Sequence, residues 1–374
     1  MTVAHPALAA IRFAHLDLPN RLAVAPMTRV SATPDGLATA DMAAYYEGYA
    51  QGGFGLVITE GTYTDTAFSQ GYTNQPGIAG PAHRAAWRQV TTRVHAAGGR
   101  IVLQLMHAGA LAQGNRYREG TAGPSAVRPF GTQLARFRGA GPWPVPAEMT
   151  RRQIAEAVDG FAAAAGRARE AGFDGVEVHA ANGYLLDQFL MAHTNLRLDG
   201  YGGGVEQRVR LVREVVAAVR EATGPGFTVG VRFSQSKVND PGHRWTNGPR
   251  EAAVVFTTAA DAGADYLHIA GSGRDWYAEA ALDGGNGLTL PALARATTGL
   301  PVIANGGLRD PAVARRVLEE GHAELLALGA AALADPDLPR RLAGGVPLTP
   351  FDPDLLNPLA TLENARRVRA GQPA

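Results

Sequence analysis

With 374 residues, 46% hydrophobic and 18% charged, the chain has the composition of an ordinary folded globular protein with one large core, not of a disordered one. A formal net charge of +1 with scattered basic residues leaves no electrostatic footprint for nucleic acid or anionic lipid, so neither is expected as a partner. Cysteine is absent, which excludes disulfides, thiolate nucleophiles, thiolate zinc sites and cysteine-held iron–sulfur clusters; redox chemistry would need another cofactor.

Taken in chain order, the first strand is expected at Leu22 to Ala25, closed by Pro26, Met27 and Thr28 and by a turn through Gly36. Helical spacing follows over Ala40 to Gly52, then a second strand from Gly55 to Thr59 running into Glu60 and Gly61. A helix from His83 to Ala97 leads into strand three, Ile101 to Leu105. From Ala110 to Met149 periodicity fails among many glycines and prolines, which in a compact domain marks a functional lid or loop. Thr150 and Gln153 fit a capping box for a helix through Ala171, and strand four follows at Gly175 to His179. The unit then repeats. Helix Val205 to Thr223 precedes strand Val229 to Phe233, and helix Arg250 to Ala262 precedes strand Tyr266 to Ile269. Helix Leu290 to Thr298 comes before strand Val302 to Ala304, and helix Pro311 to Glu320 before strand Leu325 to Leu328, with a short helix from Pro336.

Eight buried-type strands alternating with helices, and no polar linker between them, predict an α/β fold: a single (β/α)8 TIM barrel with a long excursion after strand three. Residues 1–345 would form the barrel and 346–374 a tail packed on it or extending from it. A doubly wound sheet is the rival, but neither the dinucleotide glycine fingerprint nor a P-loop occurs. No apolar run reaches spanning length and Met1 to Ala10 lacks the order of a secretory signal, so no membrane association and a cytoplasmic location are expected, as a monomer or homo-oligomer.

In a barrel, residues at the carboxyl ends of strands converge on one mouth. His179, Asn182 and Tyr184 lie within six residues at the end of strand four; the first two can donate hydrogen bonds to a carbonyl oxygen, and the phenol can donate a proton. Strands seven and eight run into Gly306–Gly307 and Gly329–Ala330, the loops from which barrels commonly build a phosphate site. Arg232 on strand five needs an anion, either a ligand or Glu177 on the neighbouring strand. Gln104 offers a donor and an acceptor in one plane, a match for an amide-like ring edge. His107 reads as structural or as a pocket wall. The ten histidines show neither His-x-His nor His-Glu-x-x-His spacing, so no metal site is expected. Glu60 and Glu177 could serve a glycosidase, but strand seven ends in Asn305 where a carboxylate would be wanted. Lys237 is the single lysine among thirty-four arginines and so the only Schiff-base candidate.

From about Asn20 to Arg341 the chain resembles the Old Yellow Enzyme family of flavoproteins. The resemblance rests on Ala25-Pro26-Met27-Thr28-Arg29, Thr59-Glu60-Gly61, Gln104-Leu105-Met106-His107-Ala108-Gly109, the run from His179 through Asn182, Gly183 and Tyr184 to Leu190, Tyr201-Gly202-Gly203, Val231-Arg232, Ala304-Asn305-Gly306-Gly307 and Ala334-Asp335-Pro336. It implies FMN at the barrel mouth, NAD(P)H as reductant, and a small activated alkene as second substrate, reduced with Tyr184 as proton donor and His179 and Asn182 binding its oxygen. Pro26, Met27, Thr28 and Gly61 would line the flavin, Gln104 its pyrimidine edge and Arg232 the far side of that ring. Gly306, Gly307, Gly329 and Ala330 would take its phosphate. The chain departs from the pattern at Met106, where tryptophan is common, at Gln235, where proline usually follows strand five, and at Ala330, where an arginine usually pairs with the phosphate. The last removes a charge-assisted contact of roughly 1.5 to 3 kcal/mol. Two other readings remain open: a flavin-dependent dehydrogenase or oxidase of a biosynthetic pathway, and a barrel with weak or lost FMN binding that serves as a binding protein.

Overall fold

In the computed structural model, residues 5–271, 275–282 and 288–372 are described. The eight expected strands form: β1 (Leu22–Val24), β2 (Leu56–Ile58), β3 (Arg100–Met106), β4 (Gly175–His179), β5 (Thr228–Ser234), β6 (Tyr266–Ala270), β7 (Val302–Asn305) and β8 (Leu325–Leu328). Each pairs in parallel with the next, and β8 pairs with β1, so the sheet closes into a barrel. After each strand comes a helix on the outside: α1 (Ala40–Gln51), α2 (Pro81–Ala96), α3 (Arg151–Glu170), α4 (Arg210–Thr223), α5 (Gly248–Asp261), α6 (Leu290–Thr298), α7 (Pro311–Glu319) and α8 (Leu338–Gly344). The capping box at Thr150 and Gln153 is present at the start of α3. The helix expected from Val205 to Thr223 is divided, with Val205–Arg208 set off from α4. At the break, Arg208 turns inward to Leu190 O (2.6 Å) and forms a buried ion pair with Glu251.

Period-two alternation along the strands sorts their side chains. Val57, Leu103, Val178, Val231 and Leu267 face outward and pack with the helices. Ala23, Leu56, Val102, Tyr266, Ile303 and Leu325 belong to a separate apolar cluster with Phe13, Leu16 and Leu18. Those last three come from a hairpin, Ile11–Phe13 paired antiparallel with Leu16–Leu18, that the sequence reading did not anticipate. It closes the barrel floor, with the Phe13 ring 5.2 Å from that of Tyr266. Gly230 makes room for this plug, because a Cβ there would lie 2.0 Å from the Tyr266 ring.

Above the floor the same alternation brings polar side chains inward. The register sets Gln104 beside Glu177, His179 beside Arg232, and Arg232 beside His268, with Asn305 one strand further at the top of β7. An apolar plug below and polar groups above confine chemistry to the carboxyl-end mouth.

The excursion after β3 contains a two-residue parallel ladder, Ala122–Gly123 with Ala147–Glu148, and single helical turns at Gly109–Leu111 and Ala135–Phe137. Its fully buried Trp143 and Leu111 share a cluster with Tyr72, Met106 and Tyr184, so the excursion packs over the mouth. The final segment returns to the barrel: Arg29 donates to Ala360 O (3.1 Å) and Thr361 O (2.9 Å), and Leu362 N donates to Ser31 Oγ (2.9 Å). Among the described residues no helix is long and apolar enough to cross a membrane.

Candidate active site

The turn after β4 is held from three sides. Asn182 adopts a left-handed backbone (φ 62°), uncommon for a residue with a side chain, and its amide donates to Ser234 Oγ at 2.8 Å. Gly183 N donates to Asp187 Oδ2 at 2.7 Å. Asp187 in turn pairs with Lys237 Nζ at 2.8 Å, and Lys237 also donates to Ser234 O at 2.7 Å. Both members of that ion pair are buried, Lys237 with 3% and Asp187 with 0% of its surface exposed. Lys237 is therefore a strut joining the loop after β5 to the β4 turn, and a Schiff-base role does not suit it.

This scaffold brings His179 and Tyr184 of the turn into contact. His179 and Tyr184 are both buried, and their rings meet edge-on with centroids 5.0 Å apart. No side-chain partner satisfies His179 Nδ1, and the Asn182 carboxamide makes no hydrogen bond among the described residues. Burial pushes the His179 imidazole well below its ordinary value, and Arg232 and His268 push it in the same direction, so the ring is neutral near pH 7. Burial raises Tyr184, with Tyr72 and Arg232 opposing, so the phenol keeps its proton.

Tyr72 is a residue the sequence reading missed. Its hydroxyl hydrogen-bonds directly to the Tyr184 hydroxyl although 112 residues separate them, and its own ring packs 4.8 Å from Phe137 of the excursion. Burial and the neighbouring Tyr184 raise Tyr72 well above an ordinary phenol, making it the harder of the two to ionise. No local pattern marks Tyr72, which lies in an irregular segment and reaches the site only through the closed barrel.

Behind the turn lies a charged layer. Glu177 accepts from Gln104 Nε2 (2.8 Å), His268 Nδ1 (2.8 Å) and Tyr266 OH (3.1 Å). Burial opposes its charge, but His268, Arg232 and Gln104 outweigh that and hold the carboxyl below its usual range. Glu177, the anticipated competitor, thus interacts with Arg232 through charge, without a hydrogen bond between them among the described residues. Arg232 Nη2 donates to Asn305 Oδ1 at 2.9 Å, and its buried Nε has no partner among the described residues. Unpaired buried polar atoms are costly, so Arg232 Nε and His179 Nδ1 are candidates for contact with a bound group. With the Gln104 amide donating to Glu177, the carbonyl half of that side chain is left to accept from a ligand.

The expected anion end is also assembled. Gly306 (φ 104°) and Gly307 (φ 62°) form a left-handed corner that only glycine adopts readily. With Asn305, Gly329, Ala330 and Arg309 they line a cavity of about 430 Å³. Gly329 lies against Met27, 3.6 Å from its sulfur to a Cβ built on the glycine, which carries the Pro26–Met27–Thr28 segment to the same rim. Thr28 is half-buried with no hydrogen bond to its hydroxyl among the described residues. The Gly61 carbonyl accepts from Gln75 Nε2 at 2.7 Å, and a Cβ on that residue would lie 2.4 Å from Met106 Sδ. The shape of residue 61 therefore answers to Met106, the departure already noted. His107 is buried and accepts from Gly109 N at 3.1 Å, as a structural residue would. Trp276 is buried against the His322 ring.

A closed eight-fold barrel, a mouth with an imidazole, a phenol and a guanidinium, and a glycine-lined anion cavity beside it define an oxidoreductase that holds a planar, phosphorylated cofactor. The residues fit FMN: a guanidinium N–H and an imidazole nitrogen buried at the mouth lack partners among the described residues, and a glycine-rich cavity adjoins them through Asn305. Comparison with known proteins makes the assignment specific. The NADH:flavin oxidoreductase / NADH oxidase family matches residues 8–349, and the chain belongs to that family, the Old Yellow Enzyme flavoproteins. It is 36% identical over 344 residues to a chanoclavine-I aldehyde reductase of Penicillium roqueforti, covering 90% of this chain and 89% of that one. To a probable flavin mononucleotide-dependent alkene reductase of Leishmania infantum it is 35% identical, covering 89% of each. Among solved structures, the Old Yellow Enzyme homologue of Zymomonas mobilis superposes with a TM-score of 0.84 at 31% identity, over 96% of this chain and 98% of that one. Morphinone reductase in complex with tetrahydroNAD gives 0.81 at 32% identity, over 94% and 93%.

Proposed function

We propose that this chain is an ene-reductase, reducing the carbon–carbon double bond of an alkene conjugated to a carbonyl or nitro group at the expense of a reduced nicotinamide. The observation that carries the reading is the turn itself: a neutral imidazole, a free carboxamide and a protonated phenol on six consecutive residues, beside a buried arginine. FMN bound at the mouth would supply the redox chemistry, taking hydride from the nicotinamide and delivering it to the alkene carbon remote from the activating group.

The chain's own residues do the rest. His179 and Asn182 donate hydrogen bonds to the substrate oxygen, where enolate-like charge grows as hydride arrives. Neutrality of His179 matters, because an imidazolium would hand over its proton too early. Tyr184 gives its proton to the carbon next to the activating group, and Tyr72 donates a hydrogen bond to the tyrosinate left behind. Arg232, held by Asn305, would hold positive charge beside the flavin's pyrimidine ring, where it would favour the reduced cofactor. Gln104, oriented by Glu177, would accept from the pyrimidine edge, and Pro26, Met27 and Thr28 would line the flavin. Gly306, Gly307, Gly329 and Ala330 would provide backbone around its phosphate. The excursion, through Trp143 and Phe137, walls off water from the phenol pair.

Tyr184→Phe tests this with the two half-reactions followed separately under anaerobic conditions. Reduction by the nicotinamide should proceed within about threefold of the wild type, and reoxidation by 2-cyclohexenone should slow by roughly 10² to 10⁴, the usual worth of a positioned general acid. Equal rates of reoxidation in the two proteins would remove Tyr184 from the mechanism.

A further inference from the structure

The cavity framed by Gly306, Gly307, Gly329 and Ala330 raises a charge problem. A phosphate monoester carries close to two negative charges at neutral pH. Backbone amides alone leave it weakly held, and Ala330 supplies no charge. Among the described residues lining that cavity, one ionisable side chain occurs: Arg309. It follows the Gly306–Gly307 corner by two residues and is exposed. Its single hydrogen bond among the described residues is a long one, Nη2 to Leu348 O at 3.4 Å. The guanidinium is thus available, and at exposed positions a long side chain reorients at little cost.

We infer that Arg309 is the phosphate-recognition residue of this site, a positive charge delivered from the β7 loop and not from residue 330. This rests on the cofactor reading above and sharpens it: the arginine makes the site select the phosphorylated flavin over its dephosphorylated form. A planar fork of N–H donors suits two phosphate oxygens at once, which a lysine would not reproduce. Gly306 and Gly307 then serve as the corner that lets the following arginine turn back over the cavity.

The experiment compares FMN and riboflavin binding to flavin-stripped full-length protein, read by quenching of flavin fluorescence. Wild-type protein should bind FMN far more tightly than riboflavin. Arg309→Ala should weaken FMN roughly 10- to 100-fold, the range of one charge-assisted contact, and leave riboflavin unchanged. Arg309→Lys should fall between. Because Arg309 is exposed and makes one weak contact, folding should be intact, and an unchanged far-UV circular dichroism spectrum checks it. If Arg309→Ala keeps the wild-type ratio of FMN to riboflavin affinity, or weakens both flavins equally, the inference is wrong while the cofactor reading stands. A wild-type protein that quenches neither flavin overturns both.

Discussion

The buried pair of Lys237 and Asp187 offers the sharpest energetic test of how the catalytic turn is held. Replacing Lys237 with Met keeps the aliphatic stem but strands the Asp187 carboxylate, which has no exposed surface and retains the Gly183 amide as donor. Removing one partner of a buried ion pair typically costs about 3 to 5 kcal/mol, and the lost Nζ contact to Ser234 O falls within that figure. The double variant Lys237→Met/Asp187→Leu strands no charge; it leaves the Gly183 amide unpaired, a cost of about 1 to 3 kcal/mol. Urea unfolding followed by far-UV circular dichroism should therefore rank wild type above the double variant and the double variant above Lys237→Met. The strut also fixes Asn182 and Tyr184, so Lys237→Met should lower turnover under conditions where it is still folded. A Lys237→Met protein within about 1 kcal/mol of wild type, or a double variant less stable than the single one, would refute the reasoning.

Tyr72→Phe removes the hydrogen bond that favours the tyrosinate of Tyr184. The phenol should become harder to ionise, moving the basic limb of the reoxidation rate up by roughly one pH unit for about 1.4 kcal/mol lost, and slowing proton transfer; a pH profile identical to wild type would count against this role. Arg232→Gln should make the flavin midpoint potential more negative by about 30 to 60 mV, corresponding to about 1.4 to 3 kcal/mol for two electrons, measured by equilibration with reference dyes. A shift in the positive direction contradicts the placement of that charge. Phe13→Ala opens the barrel floor below Tyr266 and should cost about 3 to 5 kcal/mol in the same urea assay while leaving flavin affinity near wild type.

What could be read from residues alone followed from where physics acts locally. Buried strands flanked by amphipathic helices announce themselves by periodicity, and Gly175–His179 and Leu325–Leu328 form with the bounds expected. The floor hairpin escaped because Arg12 and Asp17 interrupt its apolar residues, so it lacks the continuous apolar run that marks β1 and β2. Sequence placed His179, Asn182 and Tyr184 together because one turn carries them. It could not show that Glu177 is engaged by His268, that Arg232 is held by Asn305, or that Tyr72 meets Tyr184, since each pairing depends on ring closure.

The central claim, a flavin at the mouth working with the His179–Asn182–Tyr184 turn on an activated alkene, meets its most direct test in one anaerobic cuvette. The purified protein supplied with FMN should show a yellow flavin spectrum, bleach on addition of NADH or NADPH, and regain its colour when 2-cyclohexenone is added. A protein that takes up no FMN, or whose bleached flavin is not reoxidised by the enone, contradicts it.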